Sequence, residues 1–175
     1  GISYAPMQRQ TLELALKNQL LVITGGPGTG KTTSIRAILA MFDEIGIKTL
    51  LCAPTGRAAK RMTELTGRDA ATVHRMLGAK FDEDNDRVVF TKDESDRLDC
   101  DAVILDECSM VDICLMDALL RALPPDARLI MVGDADQLPS VGPGNVFSAL
   151  IRSQVVATVR LTEIFRQTGD SRIIR

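Results

Sequence analysis

Residues 25–32 read Gly-Gly-Pro-Gly-Thr-Gly-Lys-Thr, and no other stretch limits what this chain can fold into as tightly. The run before it, Leu21-Val22-Ile23-Thr24, is apolar and strand-forming, and from Thr32 onward the apolar residues recur with helical spacing. A glycine-rich turn between a buried strand and a helix N-terminus makes an anion cradle. Glycines let backbone N–H groups ring a phosphate in conformations that other residues resist. The helix adds its unpaired N–H groups and the positive end of its dipole. The pattern G-x-x-x-x-G-K-S/T also supplies a point charge, Lys31, for the β- and γ-phosphates and a hydroxyl, Thr32, suited to Mg²⁺. Gly26, Gly28, Thr29, Gly30, Lys31 and Thr32 are therefore candidate nucleotide contacts, with ATP and Mg²⁺ as the expected ligands.

Around this loop, apolar strand-like runs at 21–24, 49–53, 102–105, 129–132 and 155–161 alternate with helical patterns. The helical stretches are 6–17, 31–45, 56–65, 72–77, 112–122 and 145–151. Continuous apolar strands separated by helices imply an α/β fold, a mostly parallel sheet covered on both faces. Residues 80–99 break the rhythm with eight acids against four bases around Val88-Val89-Phe90. They read as a solvated loop or small hairpin inserted before the third strand.

A length of 175 residues fits one domain with a full-sized core. The net charge of -2 argues against coating nucleic acid by bulk charge, although it leaves room for a local basic groove. With aromatics at 3%, any base-stacking platform would be sparse. Cys52, Cys100, Cys108 and Cys114 form no C-x-x-C, and the single histidine, His74, completes no zinc pattern, so the thiols are read as reduced. No apolar run approaches the roughly 20 residues of a membrane span, and no basic-then-apolar leader opens the sequence. The expected setting is the cytoplasm, with no membrane partner.

Two further strand ends carry chemistry. Ala102-Val103-Ile104-Leu105 runs into Asp106-Glu107. In a parallel sheet the strand C-termini line the ligand crevice. Asp106 there is a candidate for holding Mg²⁺, and Glu107 for activating the attacking water as a general base. A competing reading makes this a helix start, with Ser109 capping a helix that begins near Asp112. Leu129-Ile130-Met131-Val132 runs into Gly133-Asp134-Ala135-Asp136-Gln137. Gln137 is suited to sensing a γ-phosphate or placing water, and Asp134 to bracing the metal shell.

Taken together, seven segments resemble superfamily-1 DNA helicases of the RecD-like 5′→3′ branch. They are Pro6-Met7-Gln8-Arg9, residues 25–33, Ala53-Pro54-Thr55-Gly56-Arg57-Ala58-Ala59, Thr72-Val73-His74-Arg75, Leu105-Asp106-Glu107, residues 133–139, and Leu161-Thr162-Glu163-Ile164-Phe165-Arg166-Gln167. The third and last are the most specific to that branch. The resemblance implies a RecA-like fold with the 129–132 strand between the 21–24 and 102–105 strands. It extends the nucleotide contacts to Thr33 and to Gln8, on the adenine edge. It makes Arg166 a γ-phosphate arginine, and Thr55, Arg57, Thr72 and His74 contacts for single-stranded DNA. Arg57, Lys60 and Arg61 add local positive charge near a helix N-terminus, which fits an anionic partner.

Such helicases clamp ATP between two RecA-like domains. Residues 1–175 are expected to be one such motor domain, the first, of a longer protein, with the second domain of the same parent chain as a partner. The alternatives are a module that binds ATP and DNA with little turnover, and an unrelated P-loop NTPase or kinase. A kinase would need an acceptor pocket and lid, for which the sequence offers no candidate.

Overall fold

The computed structural model describes residues 6–137 and 145–162. Its core is a six-stranded sheet built from β1 (Leu20–Thr24), β2 (Thr49–Ala53), β3 (Ala70–Thr72), β6 (Ala102–Leu105), β7 (Arg128–Gly133) and β8 (Ala157–Arg160). The order is β3-β2-β6-β7-β1-β8, and every pairing is parallel. This is the RecA-like arrangement, with β7 between β1 and β6 as the resemblance implied. The antiparallel hairpin β4 (Ala79–Asp82) and β5 (Arg87–Phe90) stands apart from the sheet. The acidic segment thus contains a small hairpin.

The apolar strands have no polar face because both faces are covered. Val22, Cys52, Val103, Leu105, Leu129 and Met131 point to one layer. There they meet Val73 of α4 (Val73–Met76), Leu115 and Leu119 of α5 (Ile113–Ala122), and Phe147 and Ile151 of α6 (Val146–Ser153). Their neighbours Leu21, Ile23, Leu51, Ile104, Ile130 and Val132 point to the other layer. These meet Ala15 of α1 (Pro6–Lys17), Ile35, Ile38 and Phe42 of α2 (Lys31–Glu44), and Met62 of α3 (Gly56–Thr66). Each side chain of this size contributes about 1.5–3 kcal/mol when fully buried. Burial also pushes the Cys52 and Cys108 thiols up and Cys100 up to about 11.

Local chemistry sets the helix ends. Thr55 caps α3, its hydroxyl accepting from Ala58 N at 3.1 Å, and Gly67 closes that helix at φ 73°. The Arg68–Asp43 ion pair then ties the end of α3 to α2. Arg128 donates to the carbonyls of Ala15 and Leu16 at the end of α1, at 3.1 and 2.7 Å. The cap of α5 is Asp112, whose Oδ1 accepts from Leu115 N at 2.8 Å, and not Ser109. Ser109 sits three residues too early, in a separate 3-10 turn, Cys108–Met110. Asp112→Ala is expected to cost about 1 kcal/mol of stability, read by chemical denaturation.

Candidate active site

The parallel sheet brings the ends of β1, β6 and β7 to one edge. Gly25 N donates to Gly133 O at 3.1 Å, which fastens the loop after β1 to the end of β7. A Cβ on Gly25 would lie 2.3 Å from the Thr29 hydroxyl and 3.0 Å from Leu161 Cβ, so only glycine fits there. The turn closes with Gly30 at φ 94°, a conformation glycine adopts without strain, directly before α2. Thr29 donates to Gly26 O at 2.7 Å, and the Lys31 ammonium donates to Gly25 O at 2.6 Å.

This loop forms one wall of a cleft of about 490 Å³, the size of a small-molecule site. Gly26, Gly28, Thr29, Gly30, Lys31 and Thr32 line it, and so do Asp106, Glu107 and Gln137. Asp106 follows β6, its N–H donating to Cys52 O at 2.9 Å. Burial pushes its carboxyl above the usual carboxylate range, partly offset by hydrogen bonding at Glu107 N and by the nearby charges of Lys31 and Arg61. A divalent cation would reverse that trend by favouring the ionised form.

Glu107 is in the left-handed region at φ 53°, ψ 40°, which costs a non-glycine residue about 1–3 kcal/mol. The consecutive carboxylates Asp106 and Glu107 at this strand end both line the cleft. Gln137 Oε1 accepts from the buried Ser109 hydroxyl at 3.3 Å. That bond holds the amide of a residue that lines the cleft. Asp134 is 7% exposed and accepts from Asp136 N at 3.0 Å, bracing the turn that carries Gln137.

The remaining candidates stand elsewhere. Gln8 is half-buried on α1, and Thr33 is exposed on α2; neither lines the cleft. Thr55 and Arg57 open α3, and Thr72 caps α4, accepting from Arg75 N at 3.1 Å. Ala53 pairs with Thr72, so the turns carrying Thr55 and Thr72 leave the sheet side by side. His74 is exposed and packs against Phe90 of the hairpin, ring centroids 5.9 Å apart. Arg166 lies outside the described residues, as do residues 138–144.

The far wall of the cleft was not foreseen. Ala58, Arg61, Met62, Leu65 and Thr66 of α3 face the loop. Their i, i+3, i+4, i+7 spacing marks one helix face, but nothing local says which neighbour that face meets. Ser109, the helix cap of the competing reading, instead supports Gln137.

Sheet order, glycine-rich loop and acidic strand end define a RecA-like P-loop nucleotide-binding domain. The chain belongs to the AAA domain family, which it matches over residues 8–143, and within it is homologous to RecD-type helicases. It is 42% identical over 168 residues to the ATP-dependent RecD2 DNA helicase of Deinococcus radiodurans, covering 96% of this chain and 22% of that protein. It is 40% identical to the RecBCD enzyme subunit RecD of Mycobacterium tuberculosis, covering 82% of this chain and 28% of that one. The chain therefore spans about a quarter of the length of these relatives. Among solved structures, the Pif1 helicase of Candida albicans matches with a TM-score of 0.62 at 26% identity, over 99% of this chain and 43% of that one. A Bacteroides Pif1 in complex with ADP-AlF4 shares the fold, with a TM-score of 0.63 at 22% identity over 95% of this chain and 43% of that one.

Proposed function

We propose that this domain binds and hydrolyses ATP as the first of two RecA-like motor domains of a longer RecD-like helicase. The parent protein would couple hydrolysis to 5′→3′ movement along single-stranded DNA and to duplex unwinding, in the cytoplasm and without a membrane partner. One observation carries the reading: Lys31, the adjacent pair Asp106 and Glu107, and Gln137, from three separate stretches of sequence, line a single cleft with the glycine-rich loop.

The triphosphate would rest on the amides of the loop from Gly26 to Thr32, and Lys31 would exchange the Gly25 carbonyl for a phosphate oxygen. The donor set fits Mg²⁺: a hydroxyl from Thr32 and a carboxylate from Asp106, both hard oxygen ligands, beside the phosphates. The phosphates would supply further oxygen ligands to the cation. When bound, it neutralises charge on the β- and γ-phosphate oxygens. Glu107 takes a proton from a water that attacks the γ-phosphorus as the bond to the ADP oxygen breaks. Gln137, held by Ser109, orients that water or the phosphate. Arg166 would add positive charge to the transferred group, Gln8 would read the adenine edge, and Thr33 would extend the loop's contacts.

Single-stranded DNA would cross the rim formed by Thr55, Arg57, Thr72 and His74. Each threonine hydroxyl accepts a helix N–H and keeps its own proton to donate to a phosphate. The test is ATP turnover with and without single-stranded DNA, alongside binding of a labelled oligonucleotide across a salt series. DNA stimulation of turnover is expected; turnover indifferent to DNA would remove the DNA-coupled motor reading. Arg57→Ala should weaken DNA binding and lower the salt slope by about one phosphate contact. An unaltered binding curve would make Arg57 a solvated helix residue.

A further inference from the structure

Helix α3 presents two faces to two different spaces. Ala58, Arg61, Met62, Leu65 and Thr66 face the nucleotide cleft. Arg57, Lys60, Arg61, Glu64 and Leu65 border an open depression on the outer side. Arg61 is thus the one charged residue of α3 common to both spaces. It is exposed, and none of the ion pairs among the described residues engages it. The helix that carries it is firmly held by the Thr55 cap, the buried Ala59 and Met62, and the Arg68–Asp43 tie to α2. A guanidinium that lines the same cleft as Lys31 is positioned to meet an anion that occupies it. Its planar fork suits a phosphate with two free oxygens better than an ammonium does.

We propose that Arg61 contacts the terminal phosphate of the bound nucleotide, so that α3 joins the nucleotide cleft directly to the basic surface formed by Arg57 and Lys60. This rests on the nucleotide-binding reading above. The terminal phosphate is specified because Arg61 shares the cleft with Asp106, Glu107 and Gln137, the residues beside which the tail of a triphosphate would lie. A diphosphate would leave Arg61 with little to bind. The contact also makes α3 the element through which the two anionic ligands sense each other, since any coupling must act equally in both directions.

The experiment compares equilibrium affinities for a fluorescent, slowly hydrolysed ATP analogue and for the matching ADP analogue, in wild type, Arg61→Ala, Arg61→Lys and Lys31→Ala. Circular dichroism melting verifies that each variant is folded. Arg61→Ala is expected to lose about tenfold or more in affinity for the ATP analogue and much less for the ADP analogue, with Arg61→Lys in between. Equal affinities, or equal losses for both analogues, would overturn the proposal. So would loss of oligonucleotide binding, measured without nucleotide, at an unchanged ATP-to-ADP ratio, because the guanidinium would then serve the outer face. The Lys31→Ala control separates the two readings. If it binds nucleotide like wild type, the nucleotide site itself is misassigned; if it loses binding while Arg61→Ala keeps the ratio, only the role of Arg61 fails.

Discussion

Lys31→Ala is expected to abolish detectable ATP binding and to reduce turnover by at least about 10²–10³-fold. The side chain is half-buried, and its ammonium donates to Gly25 O at 2.6 Å, within the loop that would hold the phosphates. In an enclosed cleft a fixed charge acts on a developing negative charge more strongly than it would in water. Removing it leaves the amides of the loop to hold a triphosphate alone. The fold should survive, because the lysine carries no ion pair among the described residues and the loop keeps its Gly25–Gly133 anchor. Isothermal titration with ATP and Mg²⁺ reads the first effect and phosphate release the second. Wild-type affinity in this variant would remove the phosphate-loop assignment.

Glu107→Gln separates binding from chemistry. The amide is isosteric with the carboxylate and should keep the left-handed backbone at φ 53°, so the cleft retains its shape. It cannot accept the proton of the attacking water at neutral pH. Loss of a positioned general base typically costs about 10²–10⁴-fold in rate. ATP affinity should stay within a few-fold of wild type while single-turnover hydrolysis falls by about that factor. Unchanged hydrolysis would assign the base to another group, and lost affinity would instead mean that Glu107 shapes the site.

Much of the fold was legible because the signals are local. Predicted helices at 6–17, 31–45 and 56–65 correspond to Pro6–Lys17, Lys31–Glu44 and Gly56–Thr66. Their ends are set by glycines, caps and apolar spacing within a turn or two. The four inner strands declared themselves as apolar runs for the same reason. The miss was β3, Ala70–Thr72, read in part as the start of a helix. Three small residues carry no strand signature, and pairing with Leu51–Ala53 alone makes them one. The competing reading of Ser109 as a helix cap fails because the cap, Asp112, is three positions on.

What the amino-acid order determined by itself is the chemistry of the phosphate loop, the buried strands and the acidic strand end. Those depend on backbone sterics and hydrogen bonds among near neighbours. The tertiary structure decided which strand ends stand together. Apolar strands are nearly interchangeable as partners, and their order comes from long-range pairing and from the helices that cover them. Resemblance implied that β7 lies between β1 and β6, but periodicity could not. Nor could it turn Arg61 toward the nucleotide cleft, because that depends on α3 lying against α2. A helix face becomes part of a site only when packing selects the neighbour it meets.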